Sequence, residues 1–304
     1  MQTQNTPPDL STPGYWDTII SAQALYHLLN DGTRRVLILD SSFELSDPAA
    51  GQLAYEQAHI PGAYYIHAEQ ILSSEPGEGR GRHPLPDAGT LTTHLASLGA
   101  DNDTQIVIYD RSGGMFAARA WWLLHWLGHR ASAVLDGGFS AWLAHDLPVS
   151  HTAPDHPLPG SFSQRAPRMH TITREGVLQH CRAGSAIILD ARSPDRFRGE
   201  NENMDPVAGH IPGAMNRFFM DNLDEDGNFK APTLLAAEFL SIIDGKRPVI
   251  SQCGSGITAC HNLLSMKLAG LPDAVLYPGS WSEWCAHAEM PVETGNPSGK
   301  AAAS

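Results

Sequence analysis

The chain has 304 residues, 42% apolar and 17% charged, with seven Trp and nine Phe; this argues against wholesale disorder and, at roughly 150 residues per domain, predicts two packed domains. Twenty Lys and Arg against 33 Asp and Glu leave a net charge of −13, which argues against a nucleic acid or an anionic membrane as partner. The bases lean to one side: residues 1–150 carry 16 acids and seven bases, all Arg, and residues 151–304 carry 17 acids and 13 bases, so the second half is the better host for an anionic substrate.

The start, Met1-Gln-Thr-Gln-Asn-Thr-Pro-Pro8, has neither the basic residues nor the apolar run of a secretory signal. No later segment reaches the about 18 apolar residues of a membrane span, and a cytoplasmic location is the expectation. Further along, short runs of Val, Ile and Leu alternate with stretches of helical period, the pattern of buried parallel strands joined by helices in an α/β fold. Residues 35–40, 105–110 and 133–136 read as strands of the first half, and 185–190, 248–253 and 274–277 as their counterparts.

Those counterparts belong to an internal repeat. Leu39-Asp40 returns as Leu189-Asp190, and His59-Ile-Pro-Gly-Ala63 returns unchanged as His210-Ile-Pro-Gly-Ala214. Asp110 falls opposite Cys253, and Gly137-Gly-Phe-Ser-Ala-Trp142 opposite Gly279-Ser-Trp-Ser-Glu-Trp284. The order of the matches predicts a tandem duplication, with one copy in 1–147, a Pro-rich linker in 148–168 and the other copy in 169–293. The small and polar residues of 1–13 and 294–304 read as disordered tails.

The chemistry centres on Val249-Ile-Ser-Gln-Cys253-Gly-Ser-Gly-Ile-Thr258. A buried strand ends at Cys253, a glycine-bearing loop follows, and a helix starts near Thr258. Gly254 and Gly256 let the N–H groups of Gly254, Ser255, Gly256, Ile257 and Thr258 turn inward as an anion nest at a helix N-terminus. A sulfur at its centre is favoured as thiolate, the nucleophilic form. All four cysteines (Cys181, Cys253, Cys260, Cys285) lie in the second half without paired spacing, which suits free thiols in a reducing compartment. Cys260, in line with Leu263 and Leu264, reads as core. Two patterns read as decoys. Residues 222–227 look like half an EF-hand, but Thr233 stands where the bidentate Glu would be. His125 and His129 share a helix face without a zinc motif around them. No metal or cofactor is implied.

These features resemble the two-domain rhodanese-type sulfurtransferases over nearly the whole chain. The two family signatures read as Tyr55-Glu-Gln-Ala-His59-Ile-Pro-Gly-Ala63 and Ala274-Val-Leu-Tyr-Pro-Gly-Ser-Trp-Ser-Glu-Trp284. The resemblance implies a tandem of rhodanese-like domains, each a parallel sheet flanked by helices. It also implies a catalytic second copy and an inactive first copy in which Asp110 replaces the nucleophile. The loop Cys253-Gly-Ser-Gly-Ile-Thr258 is similar to the Cys-Gly-Ser-Gly-Val-Thr of 3-mercaptopyruvate enzymes. It lacks the two cations of the Cys-Arg-Lys-Gly-Val-Thr loop that suits thiosulfate.

The implied activity moves sulfur from 3-mercaptopyruvate through a Cys253 persulfide to a thiol, such as thioredoxin or a small thiol, or to cyanide. Thiosulfate is the alternative donor, and a non-catalytic sulfur-relay or binding module the remote one. A phosphatase of this fold would need Cys-x5-Arg, and Ala259 stands in the Arg position. By the same resemblance Arg196, in Ser193-Pro-Asp-Arg196-Phe, binds the donor's anionic end through paired hydrogen bonds. The second Arg that mercaptopyruvate enzymes place further on is absent from Glu200-Asn-Glu-Asn-Met-Asp205. The Ser-His-Asp relay proposed for those enzymes maps onto Ser255, His59 and, loosely, Asp47, although His59 reads better as pinning the strand and turn of its own copy, as its twin His210 would.

Overall fold

Strands rich in Val, Ile and Leu form two parallel sheets in the computed structural model, which describes residues 14–155 and 157–296. The first half runs β1 (Ile19–Ile20), α1 (Ala22–Asp31), β2 (Val36–Asp40), α2 (Ala50–Gln57), β3 (Ala63–Tyr65), α3 (Ala88–Ser97), β4 (Gln105–Tyr109), α4 (Met115–Trp126), β5 (Ser132–Leu135) and α5 (Gly138–Ala144). The second half runs α6 (Arg174–Ala183), β6 (Ile187–Asp190), α7 (Pro194–Arg198), β7 (Met215–Asn216), a 3-10 turn (Phe219–Asn222), α8 (Pro232–Leu240), β8 (Val249–Gln252), α9 (Thr258–Leu268), β9 (Val275–Leu276) and α10 (Ser280–Trp284).

The sheet orders are β1-β5-β4-β2-β3 and β7-β6-β8-β9, the same order in both halves. In place of β1, the second sheet has a single parallel bridge between Thr171 and Leu276. The copies share their caps too. Ser21 Oγ accepts from the Ala24 amide and left-handed Gly32 ends α1, while Thr173 Oγ1 accepts from Gly176 and left-handed Gly184 ends α6. The short β1, β3 and β7 carried no run long enough to be read from the sequence.

The two sheets share a core. One apolar cluster runs from Leu39, Ile108 and Trp121 of the first half to Leu189, Phe239 and Leu264 of the second. Helices α4 and α9 pack against each other between the sheets. Hence α9, expected to bury one face, is buried from Ala259 through Met266, polar His261, Asn262 and Ser265 included.

The expected linker is stitched down along its length. Ser150 and His59 exchange backbone hydrogen bonds of 2.9 and 2.8 Å, the amides of Gly160 and Phe162 donate to Ala96 and Ala100, and that of Arg168 donates to His125. The expected tails lie mostly outside the described residues. The described part of the second, 294–296, is docked, with the Gly295 amide donating to the Arg198 carbonyl at 2.9 Å. Among the described residues no helix is long and apolar enough to cross a membrane.

Candidate active site

β8 delivers Cys253 to the carboxyl edge of its sheet, where open parallel sheets place their ligands. The residue is 2% exposed. Its amide donates to Ser280 Oγ at 3.1 Å, and the carbonyls of Cys253 and Gly254 accept from the Trp281 and Ser282 amides at 2.9 Å, so α10 locks the loop from one side. Gly256 has φ +82°, and a Cβ there would lie 2.4 Å from the Pro278 carbonyl oxygen; only glycine fits. Its N–H points to Cys253 Sγ at 3.1 Å. Ile257 is buried against Phe43, Ala68 and Phe116 of the first half, and Thr258 opens α9.

The equivalent turn after β4 shows what this backbone holds. Asp110 accepts four backbone N–H bonds, from Ser112 at 2.8 Å and from Gly114, Phe116 and Ala117 at 2.9 Å. Burial pushes its carboxyl above the usual range, and the four amides oppose that shift. The duplicated turn is thus an anion cradle that holds a carboxylate in one half and a thiol in the other.

The structure corrects the expected relay. Ser255 Oγ lies 2.7 Å from His83 Nδ1, and His83 Nε2 lies 3.5 Å from Glu69. Burial and the charges of Arg119 and Arg82 push the His83 pKa down to about 4, so the ring is neutral at pH 7. His59 is engaged elsewhere: it stacks on Tyr55 at 4.0 Å, with Nδ1 2.7 Å from the Tyr55 carbonyl and Nε2 3.1 Å from that of Thr152. His210 repeats the arrangement on Phe197, stacked at 3.8 Å and 2.8 Å from its carbonyl. Both histidines therefore pin the turn of their own copy. Asp47 accepts from the Ala49 amide in its own turn. His83 and Glu69 went unread because they lie between elements in the half that lacks Cys253. The signal was Arg80-Gly-Arg82-His83, three cationic or titratable residues in a half with only seven bases.

Arg196, on α7, lines the cavity of about 180 Å3 at Cys253, and so does Arg82 from the first half. A Cβ on Gly254 would lie 3.0 Å from Arg82 Nη2 and 3.6 Å from Arg196 Nη1; two guanidiniums therefore converge beside Cys253. Arg82 is held there across the halves: its amide donates to Ser282 Oγ at 3.1 Å, and Gly81, at φ +81°, leaves no room for a side chain, whose Cβ would lie 2.7 Å from the Gly279 carbonyl oxygen. The second half, expected as the better host for an anionic substrate, thus shares the site's cations with the first.

A third guanidinium lies behind the loop. Arg119 of α4 is 1% exposed. It donates to the carbonyls of Gly256 at 3.1 Å, His83 at 3.2 Å, Pro84 at 3.4 Å and Leu72 at 3.5 Å, tying the Cys253 loop to the loop that carries His83. Cys260 is buried, with burial pushing its thiol up to about 12, as befits a core residue.

A family model, the rhodanese-like domain, matches residues 21–145 and 173–287. A Pseudomonas aeruginosa protein named "Probable 3-mercaptopyruvate sulfurtransferase" is 44% identical over 283 residues, covering 91% of this chain and 98% of its own. The thiosulfate sulfurtransferase of Bos taurus is 36% identical over 270 residues, covering 86% and 89%. Among solved structures, SseA of Escherichia coli, a 3-mercaptopyruvate sulfotransferase, superposes with a TM-score of 0.75 at 30% identity over 87% of this chain and 98% of that one.

Proposed function

The chain belongs to the rhodanese-like family, as a tandem of two such domains that acts as a sulfurtransferase, and from that premise we propose that it takes sulfur from 3-mercaptopyruvate on Cys253. The observation that carries this choice of donor is the Ser255–His83 contact of 2.7 Å beside the nucleophile. Thiosulfate leaves behind sulfite, a stable anion that needs no proton. 3-Mercaptopyruvate leaves behind an enolate, which does.

The Cys253 thiolate attacks the donor sulfur: the S–S bond forms, the C–S bond breaks, and its electron pair passes into the pyruvate enolate. The enolate takes up one proton, and the donor's thiol gives one up. Ser255 and neutral His83, oriented by Glu69, are placed to carry it. The amides of residues 254–258 cradle the resulting persulfide anion, and Arg82 with Arg196 grips the donor's carboxylate. In this reading the copy in 1–147 is non-catalytic, 148–168 connects, and 169–293 carries the nucleophile. A thiol, such as thioredoxin or a small thiol, or cyanide removes the outer sulfur. A cytoplasmic setting is part of the proposal, and four unpaired cysteines support it.

Intact-protein mass spectrometry after 3-mercaptopyruvate treatment is expected to show one added sulfur, absent in Cys253→Ser, with pyruvate released in equal amount. No adduct with either donor would overturn sulfur transfer through Cys253, and an adduct with thiosulfate alone would overturn the choice of donor.

A further inference from the structure

The two guanidiniums at the cavity are backed by carboxylates that sulfur transfer itself does not require. Glu202 and Asp205 lie in the loop between α7 and β7, with side chains only 1% and 3% exposed. Glu202 binds Arg196 through both oxygens, at 2.9 and 3.0 Å, and reaches Arg192 at 3.3 Å. Asp205 bridges Arg82 and Arg196, and Asp190 holds Arg192 at 2.7 Å. Three guanidiniums thus face three carboxylates in a closed network. Among the described residues, Arg82 Nη2 and Nε and Arg196 Nη1 have no hydrogen-bond partner; a Cβ on Gly254 would lie 3.0 Å from Arg82 Nη2 and 3.6 Å from both Arg196 Nη1 and Nη2.

We propose that Glu202 and Asp205 set the charge of the donor this site accepts, by holding the clamp near neutrality so that a single carboxylate binds and a dianion is penalised. The proposal rests on reading Arg82 and Arg196 as the clamp on the donor. A monoanion takes the unspent N–H groups and brings one charge to a neutral network. A dianion such as thiosulfate brings a second charge with Asp205 and Glu202 directly behind the guanidiniums. Two charges on the order of 7 Å apart at an effective dielectric constant near 20 interact strongly enough to change affinity by about tenfold to a hundredfold. Glu202 also accepts from the Met204 and Asp205 amides and so shapes its own loop, which makes Asp205 the cleaner position to change.

The test compares kcat/KM for thiosulfate and for 3-mercaptopyruvate in the wild type and in Asp205→Asn, which keeps the size and one acceptor oxygen. The thiosulfate-to-mercaptopyruvate ratio is expected to rise about tenfold or more, mainly through KM, and sulfate, a dianion with no sulfur to transfer, should inhibit the variant more tightly. An unchanged ratio overturns the proposal. If circular dichroism shows that Asp205→Asn does not fold, the same ratio in Glu202→Gln decides in the same way. A wild type that prefers thiosulfate overturns the donor reading of the previous section, whereas the change in ratio between wild type and variant judges the carboxylates.

Discussion

Ser255 is the residue on which the reading of donor turns, because its side-chain partner among the described residues is a histidine from the other copy. An imidazole kept neutral down to about pH 4 accepts or passes a proton at pH 7 without first losing one. His83→Gln is expected to lower kcat/KM for 3-mercaptopyruvate by about a hundredfold to ten-thousandfold, with a far smaller effect on thiosulfate. Ser255→Ala should act alike, and the double variant should be little worse than either single one, since the two residues work as a unit. Steady-state kinetics on both donors checks this; equal losses on the two would show that the pair only shapes the loop. His59 has the motif and lacks the position. Its ring is spent on Tyr55 and Thr152, and the matching geometry of His210 shows what the repeated His-Ile-Pro-Gly serves.

At the scale of elements, α4 and α9 decide how the site is assembled. They pack back to back, and Arg119 of α4 reaches the carbonyls of the Cys253 loop and of the loop that carries His83 together. A fully buried cation is costly to desolvate, and here the carbonyls and the Cys260 thiol offset that cost. Arg119→Met would strip buried acceptors of their donors, each worth about 1–3 kcal/mol. A loss of stability of about 2–4 kcal/mol is expected, read from urea unfolding, with both donors turned over more slowly. Unaltered stability would mean that those carbonyls find other donors.

At the scale of the molecule, burial leaves several histidines neutral. Burial holds His83 and His261 at about 4 and His125 at about 3, against about 6.5 in the unfolded chain. Above pH 6.5 both states bind the same protons at these sites. As pH falls from 6.5 toward 4 the unfolded chain takes up protons that the folded chain refuses, so stability is lost over that window, up to about 2 kcal/mol per histidine by pH 5. Asp136, raised to about 6 by burial, works in the opposite direction, because the folded state is protonated first, and Asp110 shares its sign. Three imidazoles outweigh two carboxylates. The urea midpoint should therefore be lower at pH 5 than at pH 7, and an equal or higher midpoint at pH 5 would contradict this account.

The sequence by itself determined the duplication, the α/β class and the pairing of Cys253 with Asp110, because each is written in contiguous residues. A strand, a glycine turn and a helix start supply the Cys253 cradle within one short stretch, and the repeat exposes the same turn in the other half. Only the tertiary structure decided what surrounds the sulfur. Ser255 and His83 are 172 residues apart, and Arg119 and Gly256 are 137 apart. They meet because α4 packs on α9, a contact between buried faces that leaves no periodicity of its own. A histidine in an irregular loop has no pattern to betray its role, and neither do the carboxylates behind Arg196. Their function follows from which charges are buried together, and that is set by packing.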